Sequence, residues 1–275
     1  MTNPSKSKIP IALTIAGSDS GGGAGIQADL RTFAFHCVHG TSALTCITAQ
    51  NTLGVTRVDA LPTAAVVAQI QTIYSDMVVN AVKTGMLLNQ DIIEAIALEV
   101  EALKITNLVV DPVMVSRTGA LLINDKAIYN LTHLLIPKAI IVTPNRYEAQ
   151  ILTGLEIDSL KKMQSSAKII HNNFGAKTVL VKGGGMQGDL RGVDVFFDGE
   201  NLETLTAIPV NTKNTHGTGC TLSAAIAANL ALGEELLTSV YKAKEYVSQA
   251  LNFALDIGAG QGPVGHFFPL LPIAQ

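Results

Sequence analysis

The sequence predicts an α/β fold, a three-layer αβα sandwich around a mostly parallel sheet, from three observations. Short apolar runs rich in Val and Ile alternate with stretches of helical spacing along most of the chain. Charged residues make up only 15% of the 275, well below the roughly 25% of an ordinary soluble domain, as elements covered on both faces require. An Asp198-Gly199 turn between two alternating runs late in the chain announces an antiparallel hairpin added to that sheet.

Residues 1–8 are polar and are expected to form a loose tail ahead of a single domain over 9–275. Lys6 and Lys8 before an apolar stretch imitate a signal peptide weakly, but Pro10 interrupts that stretch and a glycine loop follows it. Buried parallel strands are expected at 11–15, 43–48, 81–83, 108–110, 139–142 and 178–181. Helices are expected at 24–35, at 63–74 with Thr63 as its start after Pro62, and at 91–103 with Ile92, Ile93, Ile96 and Val100 on one face. Further helices are expected at 158–171, 218–230 and 234–255, the last with a possible break. No linker, repeat or low-complexity block divides the chain.

The bulk numbers exclude several functions. Lys plus Arg number 19 against 22 Asp plus Glu, with no basic run longer than two residues, so no nucleic-acid footprint is present. No stretch approaches the roughly 18 apolar residues of a membrane helix. Cys37, Cys46 and Cys220 are odd in number and lack a Cys-x-x-Cys spacing, which suits reduced thiols and a cytoplasmic setting. His36 and His39 stand three apart without an acidic or Cys partner, so they make no metal site.

Three glycine-rich places compete for an anion. The first, residues 17–25 (Gly-Ser-Asp-Ser-Gly-Gly-Gly-Ala-Gly), follows strand one. The chain has no Gly-Lys pair, so it is not a Walker A loop. A tight turn and a substrate-facing loop at the carboxyl end of a strand both fit. The second, residues 183–188, has the Gly-x-Gly-x-x-Gly spacing of a dinucleotide loop, but a hairpin follows where that motif needs a helix. A turn beside a nucleotide fits it better than an oxidoreductase motif. The third, Gly217-Thr218-Gly219-Cys220, opens a strongly helical run. Backbone N–H groups freed by glycine and the helix dipole together suit a migrating phosphoryl group. Cys220 in the first turn is expected either as a reactive thiol of lowered pKa or as a small packing residue. His216 beside it fits a nucleotide contact or a plain loop role.

Residues 214–225 (Asn-Thr-His-Gly-Thr-Gly-Cys-Thr-Leu-Ser-Ala-Ala) resemble the signature of the hydroxymethylpyrimidine and phosphomethylpyrimidine kinases of thiamine biosynthesis, in the ribokinase-like superfamily. Gly25-Ile26-Gln27-Ala28-Asp29-Leu30, Thr48-Ala49-Gln50-Asn51-Thr52, Lys83-Thr84-Gly85-Met86, Asp111-Pro112-Val113-Met114 and residues 143–149 match the same family in order. One departure is Ser20-Gly21, where many relatives carry Pro-Ser.

The resemblance implies a ribokinase-like fold, ATP as co-substrate, Mg²⁺ and a homodimer. It implies phosphorylation of the 5-hydroxymethyl group of 4-amino-5-hydroxymethyl-2-methylpyrimidine, then of the monophosphate to the diphosphate. By the same resemblance Gln50 reads the pyrimidine edge, with Asp29, Met86, Val113 and Gly17 around the ring. Asp111, Asn145 and Glu148 organise the metal and its waters near the ATP phosphates, which Lys182 and Thr218 meet, with Asn145 among the nucleotide-binding residues. Gly217, Thr218 and Gly219 form the anion hole, and Cys220 stands where most ribokinase-like enzymes carry a basic Asp. Two alternatives remain open: a pyridoxal kinase of the same cysteine-bearing type, and a non-catalytic ligand-binding relative.

Overall fold

The computed structural model describes residues 9–115, 121–208 and 210–271; the tail expected at 1–8 lies outside them. Its chain order is β1 (Ile11–Asp19), α1 (Gly25–Phe35), β2 (His39–Gln50), β3 (Val55–Ala60), α2 (Thr63–Asp76), β4 (Ala81–Thr84), α3 (Gln90–Ala102), β5 (Leu108–Val110) and α4 (Asp125–Asn130). There follow β6 (Ile141–Val142), α5 (Arg146–Thr153), α6 (Leu160–Phe174), β7 (Val179–Val181), β8 (Asp194–Phe197), β9 (Leu202–Leu205), α7 (Thr218–Ala231) and α8 (Leu236–Asn252).

All the strands form a nine-stranded sheet in the order β3-β2-β1-β4-β5-β6-β7-β8-β9. The block from β2 to β7 is parallel. Antiparallel strands close both ends: β3 beside β2, and the β8–β9 hairpin beside β7. The hairpin is the expected one. Its Asp198 side chain accepts the N–H groups of Glu200 (3.0 Å) and Asn201 (2.6 Å), which shapes the turn.

Each face of the sheet carries its own apolar layer. One is built from Leu13, Ile15, Val82, Val110 and Val142 against Ile70, Ile92, Ile96 and Ile170 of α2, α3 and α6. The other sets Ala12, Val109, Ile141, Leu180 and Phe196 against α7, α8 and Phe33 of α1. α7 is almost wholly buried and rich in Ala, so it lies close against the strands. The alternation along each strand thus sends successive residues into opposite layers, as a doubly covered sheet requires.

The expected strands and helices are present with shifted ends, and α8 runs unbroken. Three pieces differ from expectation. β3 was not anticipated: all its residues are exposed, so no buried period marks it, and backbone pairing to β2 holds it, with Thr56 Oγ1 donating to the Ala49 carbonyl. α4 and the helical turn after it were also unmarked. α5 appears where only a helix start was in view. The three cysteines are free thiols. No helix among the described residues is long and apolar enough to cross a membrane.

The two faces of α3 give a stability prediction. Ile96 is fully buried and Leu98 is 62% exposed. Ile96→Ala is expected to cost about 2–5 kcal/mol in urea unfolding, through lost transfer energy and the cavity left behind. Leu98→Ala is expected to stay within about 0.5 kcal/mol.

Candidate active site

The parallel strands all end on one edge, and the functional side chains gather there. β1 runs straight into Gly17, where a Cβ would stand 2.6 Å from Cys46 Sγ and 2.9 Å from Met86 Cε. Glycine therefore lets three segments meet. The loop that follows is organised by Asp19, whose buried carboxylate accepts the N–H groups of Gly21 (2.8 Å), Gly23 (3.0 Å) and Ala24 (2.8 Å). His216 Nε2 lies 2.8 Å from the same carboxylate.

The anion loop begins at Gly217, a left-handed N-cap with φ of 83°, a conformation that favours glycine. The first intrahelical bond runs from Thr221 N–H to the Gly217 carbonyl at 2.9 Å. The N–H groups of Gly219 and Cys220 come before it and point past the helix end. Thr218 donates its hydroxyl to the Thr215 carbonyl at 2.7 Å. The ammonium of Lys182 stands at this helix start, 3.3 Å from where a Gly219 Cβ would be.

Lys182 is held there by Asp111, whose Oδ1 accepts from Lys182 Nζ at 2.8 Å and from Thr143 at 3.2 Å. Its Oδ2 accepts from Ser223 of α7 at 3.2 Å. Glu148 is buried beside them. Its Oε2 accepts Asn145 N–H at 2.8 Å and its Oε1 accepts Met114 N–H at 3.4 Å. Burial pushes the Glu148 carboxyl up to about 8; the charge of Asp111 adds to this and Lys182 opposes it.

A second buried ion pair lies under the loops. Lys83 Nζ donates to Asp29 Oδ2 at 2.8 Å, both side chains being fully enclosed, and Thr14 donates to the same oxygen at 2.6 Å. Asp29 Oδ1 is buried without a hydrogen-bond partner. The negative charge of Asp29 helps hold Lys83 protonated against burial.

Several expectations change here. Cys220 does not have a lowered pKa: burial pushes its thiol up to about 11, with Asp29 and Asp111 adding to the rise, and Lys83 and the Gly25 N–H only partly offset it. Asp29 is fully buried in an ion pair with Lys83. Asn145 and Glu148 are joined as a capping box at the start of α5, Asn145 Oδ1 accepting Glu148 N–H at 3.0 Å. Asn145 thus spends its amide oxygen on the helix rather than on a nucleotide.

Gln50, Met86 and Val113 are half-buried at the same edge, Met86 and Gln50 flanking the first loop. Lys83, Asp19, His216 and Ser223 were not read as one site from sequence. A lysine inside a buried strand, Ala-Val-Lys-Thr, was the one available signal.

The family model for phosphomethylpyrimidine kinase matches residues 19–265. The chain belongs to that family. A hydroxymethylpyrimidine/phosphomethylpyrimidine kinase of Synechococcus elongatus is 57% identical over 95% of this chain and 99% of its own length. The ADP complex of a Bacillus subtilis pyridoxal kinase superposes with a TM-score of 0.90 at 39% identity, covering 96% of this chain and all of that one. A phosphomethylpyrimidine kinase structure from Clostridium difficile 630 gives 0.79 at 40% identity, over 89% of this chain and all of that one. This protein is therefore a kinase, and its fold is that of the ribokinase-like enzymes.

The buried pair in this kinase sets a test. Lys83→Met leaves Asp29 enclosed and unpaired and is expected to cost about 3–5 kcal/mol in denaturant unfolding. Adding Asp29→Leu is expected to restore most of that loss, since an apolar pair of similar volume removes the stranded charge.

Proposed function

We propose that this kinase transfers the γ-phosphoryl group of ATP to the hydroxymethyl of 4-amino-5-hydroxymethyl-2-methylpyrimidine, and in a second turnover phosphorylates the monophosphate, within thiamine biosynthesis. The observation that carries the reading is the Lys182 ammonium set against the glycine-opened start of α7. Phosphoryl transfer passes through a loose transition state with charge spread over the phosphoryl oxygens, so fixed positive groups around that charge do most of the work. The N–H groups of Gly219 and Cys220, the helix dipole and Lys182 converge there, while Thr218 ties down the loop.

A cavity of about 520 Å³ lies between residues 206–208 and α8, lined in part by Tyr241, Lys244 and Ser248. Lys244 donates to Asp194 at 2.5 Å, and Asp194 accepts the N–H of Gly183 at 2.8 Å, next to Lys182. That chain of contacts links one wall of the cavity to the segment beside Lys182, and its size suits the nucleoside of ATP, which supports reading it as the nucleoside site. Gln50, Met86 and Val113 take the ring on the other side of the transferring phosphoryl.

Mg²⁺ fits the carboxylates. Burial raises the Glu148 carboxyl, so a nearby cation would favour its ionised form. Among the described residues no three His, Cys, Asp or Glu side chains form a direct cage. Asp111 and Glu148 would hold the ion through its waters and the ATP phosphates, as magnesium prefers. When bound, the ion neutralises phosphate charge. A homodimer in the cytoplasm completes the proposal. Pyridoxal is the second candidate substrate, because the pyridoxal kinase fold matches so closely.

Two measurements test this reading. ATP consumption with the aminopyrimidine alcohol, its monophosphate and pyridoxal is expected to show turnover on both pyrimidines; none on either sinks the proposal. Only on the order of one thiol in 10⁴ is ionised at pH 7 with a pKa near 11. If that thiolate takes the substrate proton, kcat climbs about tenfold per pH unit from 7 to 10. Cys220→Ala then becomes flat with pH and at least about 10² slower, with KM for ATP little changed. A wild-type enzyme flat across that range assigns Cys220 to shaping the anion hole instead. Separately, Ser248→Trp fills the cavity and is expected to raise KM for ATP at least about tenfold while KM for the pyrimidine holds.

A further inference from the structure

We infer that Asp19 and His216 fix the orientation of the Gln50 side-chain amide, and through it which edge of a heteroaromatic ring the pocket accepts. The inference rests on the pyrimidine-kinase reading, in which Gln50 faces the ring.

One imidazole nitrogen ties three distant segments together. His216 Nε2 is 2.8 Å from Asp19 Oδ2 and 3.3 Å from the Gln50 amide nitrogen. A carboxylate only accepts, so Nε2 carries a proton and directs it at Asp19. An amide N–H turned towards that nitrogen sets donor against donor. The far end of the amide has the opposite conflict. Gln50 Oε1 is 3.4 Å from Thr48 Oγ1, but the single Thr48 hydroxyl proton already goes to the Ser18 carbonyl at 2.8 Å. That sets acceptor against acceptor.

A half-turn of the amide resolves both conflicts. The oxygen then accepts a share of the His216 N–H, and the amino group donates to Thr48 Oγ1. Amide oxygen and nitrogen have nearly the same shape, so the surrounding network decides between them. Here both neighbours favour the same orientation.

The orienting groups are themselves stiff. Three backbone N–H groups hold Asp19. The His216 backbone N–H donates to the Gly262 carbonyl at 3.1 Å, and its backbone carbonyl accepts the Val264 N–H at 3.2 Å. Its ring lies on Gly23, where a Cβ would overlap Cδ2. Gln50 is pinned through its backbone, donating N–H to Ser20 Oγ at 2.8 Å and accepting from that hydroxyl at 2.7 Å.

In this orientation Gln50 keeps one N–H and one oxygen lone pair for a ligand. They match an edge that carries an amino group beside an unprotonated ring nitrogen. The amino group must lie on the His216 side and the ring nitrogen on the Thr48 side. Asp19 and His216 are thus positioning residues for substrate choice, and they act through Gln50.

The test compares kcat/KM for the aminopyrimidine alcohol with that for its analogue lacking the 4-amino group, with KM for ATP as control. His216→Leu is expected to shrink the wild-type ratio at least fivefold. The change should fall on KM for the aminopyrimidine, with KM for ATP held within twofold. Thr48→Val, nearly isosteric, removes the other orienting contact and is expected to move the ratio the same way, which keeps the test open if His216→Leu folds poorly. A merely structural role lowers both substrates and ATP together and leaves the ratio unchanged, and that result overturns the inference. Wild-type turnover with unchanged ratios defeats the orientation alone, whereas no wild-type turnover on either pyrimidine defeats the substrate reading on which it rests.

Discussion

The carboxylate of Asp111 is the constraint on which the catalytic edge depends. It sits just past β5 and receives Lys182 from the end of β7, Thr143 from the end of β6 and Ser223 from the second turn of α7. β5, β6 and β7 are neighbours in a parallel sheet, so their carboxyl ends arrive side by side without further arrangement. One buried charge then fixes the distance between the lysine and the helix start. Lys182 has 10% of its side chain exposed and Asp111 3%. Either group alone would be a stranded charge, so neither can leave without a large penalty. The Lys182 ammonium proposed to face the phosphates is thereby set in place in the protein itself, which is the condition for electrostatic preorganisation.

The electrostatics of Cys220 follow from a contest of magnitudes. A helix N-terminus stabilises a nearby negative charge by about 0.3–1 kcal/mol, which is under one pKa unit. Enclosing a thiolate costs more than that. Lys83 opposes the rise and Lys182 also stands near, but Asp29, 2.8 Å from Lys83, and Asp111 push the value up again. The thiol pKa at this helix start is therefore raised rather than lowered. The sequence rule about helix starts omits burial, and burial wins.

Much of this was legible in the sequence, and the residues explain where it was not. The parallel strands, α7 and the late hairpin were marked by buried period and turn chemistry, and those signals are local. β3 carries no burial to mark it. The resemblance set Asn145 and Glu148 beside the metal, and the capping box they form at the start of α5 is visible only in the structure. The glycine loops were legible one at a time. Their partnership was not: Asp19 and His216 are 197 residues apart, and Lys83 and Asp29 are 54 apart. No periodicity reports a contact across that distance. A lysine among Ala, Val and Thr in a short strand was the visible anomaly, and a buried lysine implies a buried anion somewhere in the fold.

The two loops facing the reaction behave as one body, and backbone rather than side chains makes them so. Gly217 packs against the Gly23 carbonyl so closely that a Cβ there would overlap it, and Gly217 also requires its left-handed φ. The His216 ring fills the place a Gly23 side chain would take. The substrate-side loop and the anion loop thus interlock at a separation that no rotamer change can relax. In-line transfer needs the acceptor oxygen held at a fixed distance from the phosphoryl group, and small misplacements are costly in rate. Asp19 completes the unit by accepting from both loops at once. The glycine packing holds the two loops in register whether or not the Asp19–His216 contact is made. The ring orientation at Gln50 is the part that glycine packing cannot supply, because it depends on where protons lie rather than on where backbones meet.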